Sequence, residues 1–530
     1  MRFSLSILFS LFFLHATSAV ELKGRIVDEK GKLLPARLYI QNAKGEWFFA
    51  KSASKKGRAV HYRKKRPNVP PSEEMHTTLS AHPFTVDLPT GKYTVTVERG
   101  HEYRTLVRQV QISDKPVSLN LKLTRWINMA KRGWYSGDTH VHRSLDELPN
   151  VMLAEDLNVA LPLVYWVTRG YAPPKSSEKS TKKDPPAKVV KVDDHHVYYP
   201  RNTEYEIFSI DGKRHTLGAV FVLNHKSVFQ RGVPPVTPIA MKARQEKALL
   251  ELDKHNWPWS MMLVPIMNVD LYELSNNHIW RTRFGFPGFG EKPPAYMKIE
   301  TNRRGMTERG WIDFTFQNYY ALLNCGFRMR PTAGTASGVH PVPLGFGRVY
   351  VHCPKGFSYE NWIDGLDRGS SFVTTGPMLS VTVNDKHPGH LFKQKKKTKY
   401  RVKVFAFTQG TLEKVELLLN GKVVSVIGPE TIKGVKDEDK LHFNVVLDVD
   451  QTSWLAVRCY EKRGKRIRFA HSAPFHIEMK DQKIKPRREE IQYLIQRVTS
   501  QIKRSEGTLK KDALAEYRRA LEIYRKIANR

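Results

Sequence analysis

Cysteine is scarce. The 530 residues carry three, Cys325, Cys353 and Cys459. A small, odd number excludes a disulfide-stapled scaffold. In an oxidising compartment one pair can form and leave one thiol, and the sequence does not choose the pair. Long apolar runs are missing too. The run Leu5–Leu14 spans about ten residues, roughly half of what crosses a bilayer. Acidic residues are few, with 52 Asp+Glu against 87 Lys+Arg, a formal balance of +35. Global disorder is excluded by a 40% hydrophobic and 11% aromatic content, enough to fill sizeable cores. At this length several domains are expected.

The charge points to polyanionic partners, and the first residues say which kind. Arg2, the apolar run and the small residues Ala16-Thr17-Ser18-Ala19 read as a secretory signal peptide, residues 1–19, cut after Ala19. Cleavage removes Arg2 alone among the charged residues and leaves +34, one less than the full chain. The expected place is secreted or periplasmic. Nucleic acid then falls as a partner, despite Arg63-Lys64-Lys65-Arg66. The basic runs Lys51–Arg66, Lys175–Lys191 and Lys393–Lys403 are read as surface charge, suited to an acidic extracellular polymer. No later run is long enough for a transmembrane segment, and nothing speaks to oligomeric state.

Short alternating stretches with Gly and Pro turns mark residues 20–124 as a β-sandwich. The order of Gly24-Arg25-Ile26-Val27, Asp28 to Gly31, Ala36-Arg37-Leu38-Tyr39-Ile40 and Leu88-Pro89-Thr90-Gly91-Lys92-Tyr93 resembles carboxypeptidase-regulatory-like domains. Such domains are usually non-catalytic. Residues 386–480 alternate again, with an Asn420-Gly421 hairpin signal, and read as an immunoglobulin-like sandwich. In residues 481–530 the period changes. Ile491, Leu494, Val498 and Ile502, then Leu514, Tyr517, Leu521 and Tyr524, fall at helical spacing and predict a helical hairpin packed on a neighbouring domain.

Chemistry concentrates in residues 125–385. In Trp134-Tyr135-Ser136-Gly137-Asp138-Thr139-His140-Val141-His142 a strand puts His140 and His142 on one face. Two imidazoles there suit a borderline divalent cation, with Asp138 as a further ligand or an orienting partner. Polar residues recur at the ends of later apolar stretches: Glu204 and Glu206, His215, His255, Glu273 with Asn276 and His278, and His340. That recurrence suits loops at one end of a barrel-like sheet.

The string Gly137 to His142 (GDTHVH) resembles the opening motif of the polymerase-and-histidinol-phosphatase (PHP) superfamily of metal-dependent hydrolases, and is similar to its CehA/McbA-like branch. The stretches 202–206, 255–259, 273–281, 319–328, 345–351 and 369–377 support it, over about half of the chain. The resemblance implies a distorted α/β (PHP-type) barrel, flanked here by the two sandwiches and the helical hairpin. It implies one to three divalent ions, commonly Zn, Mn or Fe. On the matching positions His140, His142, Glu204 or Glu206, His215 and His255 would be metal ligands. His340 would close the site, and Glu273, Asn276 and His278 would line the pocket. Two departures lower the expected number to one or two ions. The stretch Leu161 to Thr168 lacks the Thr-Asp-His of many relatives, and Ala336 stands where a loop Asp is usual.

Two functions are expected from this. The first is a secreted metal-dependent hydrolase acting on a phosphoester, an ester or amide, or an acidic saccharide. In it His278 or His340 moves a proton and Arg281, Arg328 or Arg348 holds an anionic substrate. The alternative is a non-catalytic exported binding protein for acidic or sulfated polysaccharide, on a decayed hydrolase scaffold. Trp257, Trp259 and Trp280 would then stack on sugar rings.

Overall fold

Residues 19–67, 72–176, 181, 184–428, 440–464 and 466–530 are described by a computed structural model. The expected signal peptide lies outside the described residues, apart from Ala19. The chain is multidomain and rich in β-structure, with seven α-helices among the described residues.

In the first region, strand Val20–Val27 pairs with Val117–Lys122 and Phe84–Leu88, while Ala36–Asn42 pairs with Gly91–Glu98 and Ser72–Leu79. Alternation along Gly91–Glu98 sends Tyr93, Val95 and Val97 inward. They meet Leu22, Leu38, Ile40 and Phe84 in one apolar core between two sheets. Strand Ala59–Arg66 continues the second sheet beside Ser72–Leu79.

Among the described residues the central region is built on two large sheets, beside a two-stranded one formed by Thr301–Asn302 and Gly305–Met306. In one, Trp134–Val141 lies parallel to Val159–Pro162 and antiparallel to Arg348–His352. The other has seven strands, among them Tyr165–Arg169, Thr203–Ile210, Lys213–Leu223, Leu249–Leu252, Leu271–Ser275 and Arg330–Ala333. The sheets approach at both edges of Trp134–Val141. The amide of Leu163 donates to the Val141 carbonyl at 2.9 Å, and that of Ala336 to the His140 carbonyl at 2.7 Å. Among the described residues the hydrogen-bonded pairing forms two ladders, not one closed barrel ladder. Helices such as Glu308–Asn324 pack outside, and the polar strand ends face a common interior.

Strand Ser371–Thr374 carries the first central ladder onward, because it pairs with both Arg348–His352 and Arg466–Ser472. The sandwich that follows includes Met378–Val383, which pairs with Thr398–Phe407 and so brings residues before the boundary expected at 385/386 into it. Asn420 and Gly421 both take positive φ, 51° and 77°, at the turn into Lys422–Ile427. Helices Arg488–Ser505 and Lys511–Ala528 form the hairpin. They dock on the central region: Tyr524 donates to the Met261 carbonyl at 2.8 Å, and Glu516 accepts from the amides of Val236 and Thr237. Among the described residues no helix is long and apolar enough to cross a membrane. All three cysteines are buried and free, with burial pushing Cys353 and Cys459 up to about 12.

Candidate metal centre

Strand Trp134–Val141 is buried along its whole length, so the two faces of its alternation must both find partners. His140 and His142 share one face. Their Nε2 atoms lie 3.2 Å apart, and His142 Nε2 is 3.1 Å from Glu204 Oε2. His140 Nε2 is 3.9 Å from Glu204 Oε1. Donors about 2.1 Å from a tetrahedral ion stand roughly 3.4 Å from one another. The three side chains therefore stand at spacings that suit one divalent ion.

The other nitrogen of His140 does something different. Nδ1 lies 3.1 Å from Glu273 Oε2 and 3.7 Å from Asp253 Oδ1. His140, Asp253 and Glu273 are also close enough to hold an ion. Two features favour an orienting role. A ligating imidazole commonly donates its second N–H to a carboxylate, which fixes the ring and raises its basicity. The acidic side also already holds a cation, since buried Lys254 ion-pairs with Asp253, which accepts from Trp257 Nε1 at 3.0 Å as well.

The supporting residues are fixed by backbone as much as by side chain. Asp138 accepts from Thr335 Oγ1 at 2.6 Å and from the amides of Gly345, His140 and Thr335 at 2.9, 3.1 and 3.2 Å. Its oxygens are committed to holding the 335–345 segment against the histidine strand. A Cβ at Gly334 would sit 2.2 Å from His140 Cβ and 2.7 Å from Glu273 Oε1, so only glycine passes there. Ala336 takes a left-handed φ of 49° while its amide holds the His140 carbonyl.

Burial sets the protonation of the interior. It pushes Glu206 up to about 8, helped by Glu204, and Glu251 up to about 8 against hydrogen bonds from Thr332 and Thr139. Glu273 is held well above the carboxylate range by burial, then by Asp253 and Glu251. His140 is held well below the imidazole range by burial, then by His142 and Lys254. Burial thus favours the protonated form of Glu206, Glu251 and Glu273 and the neutral form of His140. A cation held there would oppose that preference and favour release of protons.

The structure thus gathers His140, His142, Glu204, Glu206 and Glu273. His215 lies elsewhere. Glu204 pairs in register with Phe221, whereas Arg214 pairs with Ser209, so His215 stands at the far end of the hairpin. There its Nε2 meets Ser505 of the helical hairpin at 3.2 Å. His255 packs against Phe314 and Trp311, at centroid distances of 4.5 and 5.2 Å, outside the ligand set. His278 stacks on Phe286 at 3.5 Å and lies 6.0 Å from His340. Among the described residues, Nδ1 of both has no hydrogen-bond partner.

The arginines are structurally engaged. Arg348 donates to the carbonyls of Gly345 and Glu155, Arg281 pairs with Glu74, and exposed Arg328 pairs with Glu478. Asn276 accepts from Trp311 Nε1 and from the His278 amide. Trp257, Trp259 and Trp280 are buried core residues, not exposed sugar platforms. Sequence reasoning missed Glu251, Asp253 and Lys254. The available signal was two acids in alternation at the end of the apolar strand Leu249–Leu252, the pattern also shown by Glu204 and Glu206.

The chain matches no protein-family model and no curated protein.

Proposed function

We propose that this chain is an exported metal-dependent hydrolase using one divalent ion, Zn, Mn or Fe, held by His140, His142 and Glu204. The observation that carries the reading is the convergence of two Nε2 atoms and a carboxylate within 3.1–3.9 Å in a buried site. The likeness of Gly137–His142 to the opening motif of PHP-type hydrolases of the CehA/McbA branch supports it. A divalent ion supplies a water of lowered pKa and a Lewis acid for a phosphoryl or carbonyl oxygen.

The residues of the chain divide the remaining work. Glu273 accepts the Nδ1–H of His140 and aims its ring. Lys254 neutralises Asp253, which keeps the acidic side from drawing a second ion. Glu206 retains a proton near neutral pH beside Glu204 and exchanges it with a reacting group. His278 and His340 present their unpartnered Nδ1 atoms for the leaving group. Substrates are phosphoesters, esters or amides, or acidic saccharide derivatives.

Metal analysis of the purified protein tests this. About one equivalent of divalent ion is expected in the wild type and none in His140→Ala/His142→Ala. Glu273→Gln should keep the ion but weaken its affinity by about 10–100-fold. No bound ion, together with no hydrolysis of phosphodiester and carboxyl-ester panels after Mn or Zn addition, defeats the proposal. A second reading, an exported binder of acidic or sulfated polysaccharide, is favoured by Ala336 in place of a loop acid. It requires salt-sensitive polysaccharide binding that survives loss of both histidines.

A further inference from the structure

We infer that Arg66, carried by the N-terminal sandwich, is the oxyanion-recognition residue of this metal centre, so that the substrate bears a phosphate- or carboxylate-type group next to the bond that is cut. The inference rests on the hydrolase reading for the word substrate, but its anion site stands on separate observations.

Strand Ala59–Arg66 divides its basic run between two faces. His61, Arg63 and Lys65 are exposed, whereas Tyr62 is buried and Lys64 and Arg66 are half-buried. The inner face lies on the central region. Tyr62 Oη donates to the His340 carbonyl at 2.5 Å and accepts from the Gly338 amide at 2.9 Å. Ser72, opposite Arg66 in register, meets Thr282 Oγ1 at 2.6 Å. Between these anchors the Arg66 guanidinium lies 5.6 Å from the centroid of Phe286, the ring that stacks on His278 and lies 6.2 Å from His340.

Three arginines of this interface are paired. Arg37 meets Glu98 and Glu155, Arg281 meets Glu74 and Glu98, and Arg143 meets Ser337 and Glu147. Among the described residues, Arg66 has neither a side-chain hydrogen bond nor a carboxylate at ion-pair distance. A half-buried guanidinium beside these rings keeps its fork of donors open to an arriving partner. Its charge acts on His278, His340 and Glu206, three groups around the candidate centre. A planar, bidentate oxyanion satisfies the fork and completes the charge balance.

The test uses the full chain loaded with Mn and inorganic phosphate as the probe, followed by titration calorimetry. Arg66→Gln should weaken phosphate binding by about 10–100-fold and Arg66→Lys by less, because a charge-assisted pair is lost. With paired esters that share a leaving group, Arg66→Gln should raise KM for the anionic member and leave the neutral member unchanged. Equal phosphate affinity in wild type and Arg66→Gln, or no phosphate binding by wild type, overturns the inference. The two readings fail separately. Arg66-dependent phosphate binding in His140→Ala/His142→Ala, without any hydrolysis by wild type, upholds the anion site and removes the hydrolase. Metal-dependent hydrolysis indifferent to Arg66→Gln does the reverse.

Discussion

The two β-sandwiches flank the same central region and attach to it by different chemistry. The C-terminal one is joined through backbone: Phe372, Val373 and Thr374 pair in register with Ser472, His471 and Ala470, so one ladder runs across the junction. Among the described residues the N-terminal one shares no ladder with the central sheets. It is held by side chains. Arg37 reaches Glu155 at 2.7 Å, Arg99 reaches Asp156 at 2.7 Å, Arg125 reaches Glu102 at 2.6 Å, Arg281 reaches Glu74, and Tyr62 ties the His340 segment. A ladder tolerates most side-chain changes, because its bonds are main-chain. A network of buried ions depends on each partner, since removing one leaves the other charged and unsolvated. The sandwich that resembles a bland accessory module is the one whose side chains reach the candidate centre.

The contrast is broken most strongly at Trp454. Its indole is buried, packs 5.2 Å from Tyr320 and donates to Asn324 Oδ1 at 2.8 Å. Trp454→Ala should cost about 3–5 kcal/mol in urea unfolding, in the transition that includes the central region. Metal content of the protein that remains folded should not change. Loss of metal without loss of stability would mean that the ladder serves the centre and not the fold.

Acid should weaken both attachments. Burial, against hydrogen bonds to Ser472 and Glu74 respectively, lowers His471 to about 3 and His76 to about 4. The unfolded chain binds protons on these histidines below about pH 6.5 and the folded chain does not. Stability from each is therefore present above pH 6.5 and lost as pH falls toward the folded values, by about 2 kcal/mol each near pH 5. Urea midpoints at pH 7.5 and 5 measure the slope. His471→Gln should flatten it, and an unchanged slope would show that His471 is reached by solvent.

Much of this organisation was legible in sequence, for reasons that also mark the limits. The hairpin at Asn420-Gly421 and the helices at 488–505 and 511–528 follow from local spacing and turn chemistry, which neighbours cannot alter. The pairing of His140 with His142 follows from strand alternation. The choice of Glu204 over His215 does not, because register decides which residue of a long hairpin reaches the interior. Asp253 and Lys254 were hidden because one acid and one base beside a strand look like surface. Arg66 was hidden inside a basic run, and only the docking of its strand separates it from Lys65.

A smaller effect is expected at the ionic attachment. Glu155 accepts both of its hydrogen bonds from Arg37 Nη1, and Arg37 keeps Glu98 when Glu155 is removed. Glu155→Ala should cost about 2 kcal/mol, the scale of hydrogen bonds to a charged group. The cost should appear first as faster amide exchange along Ala36–Asn42, while the C-terminal strands keep their protection.

The smallest effect is the sharpest test. Tyr62→Phe leaves the Gly338 amide and the His340 carbonyl without their phenol partner, at about 1 kcal/mol. Ile477→Val in the C-terminal core should cost about the same. The two variants then have equal stability but different positions relative to the centre. Segment 336–340 also holds the histidine strand, through the Ala336 amide on the His140 carbonyl and the His142 amide on the Ser337 carbonyl. Tyr62→Phe should therefore weaken metal affinity by roughly two- to tenfold, less than a change at a residue bonded directly to a ligand. Ile477→Val should leave it unchanged. Equal affinities in a chelator competition would show that the N-terminal sandwich grips the central region without positioning its ligands, and the division between a structural and a functional attachment would fall.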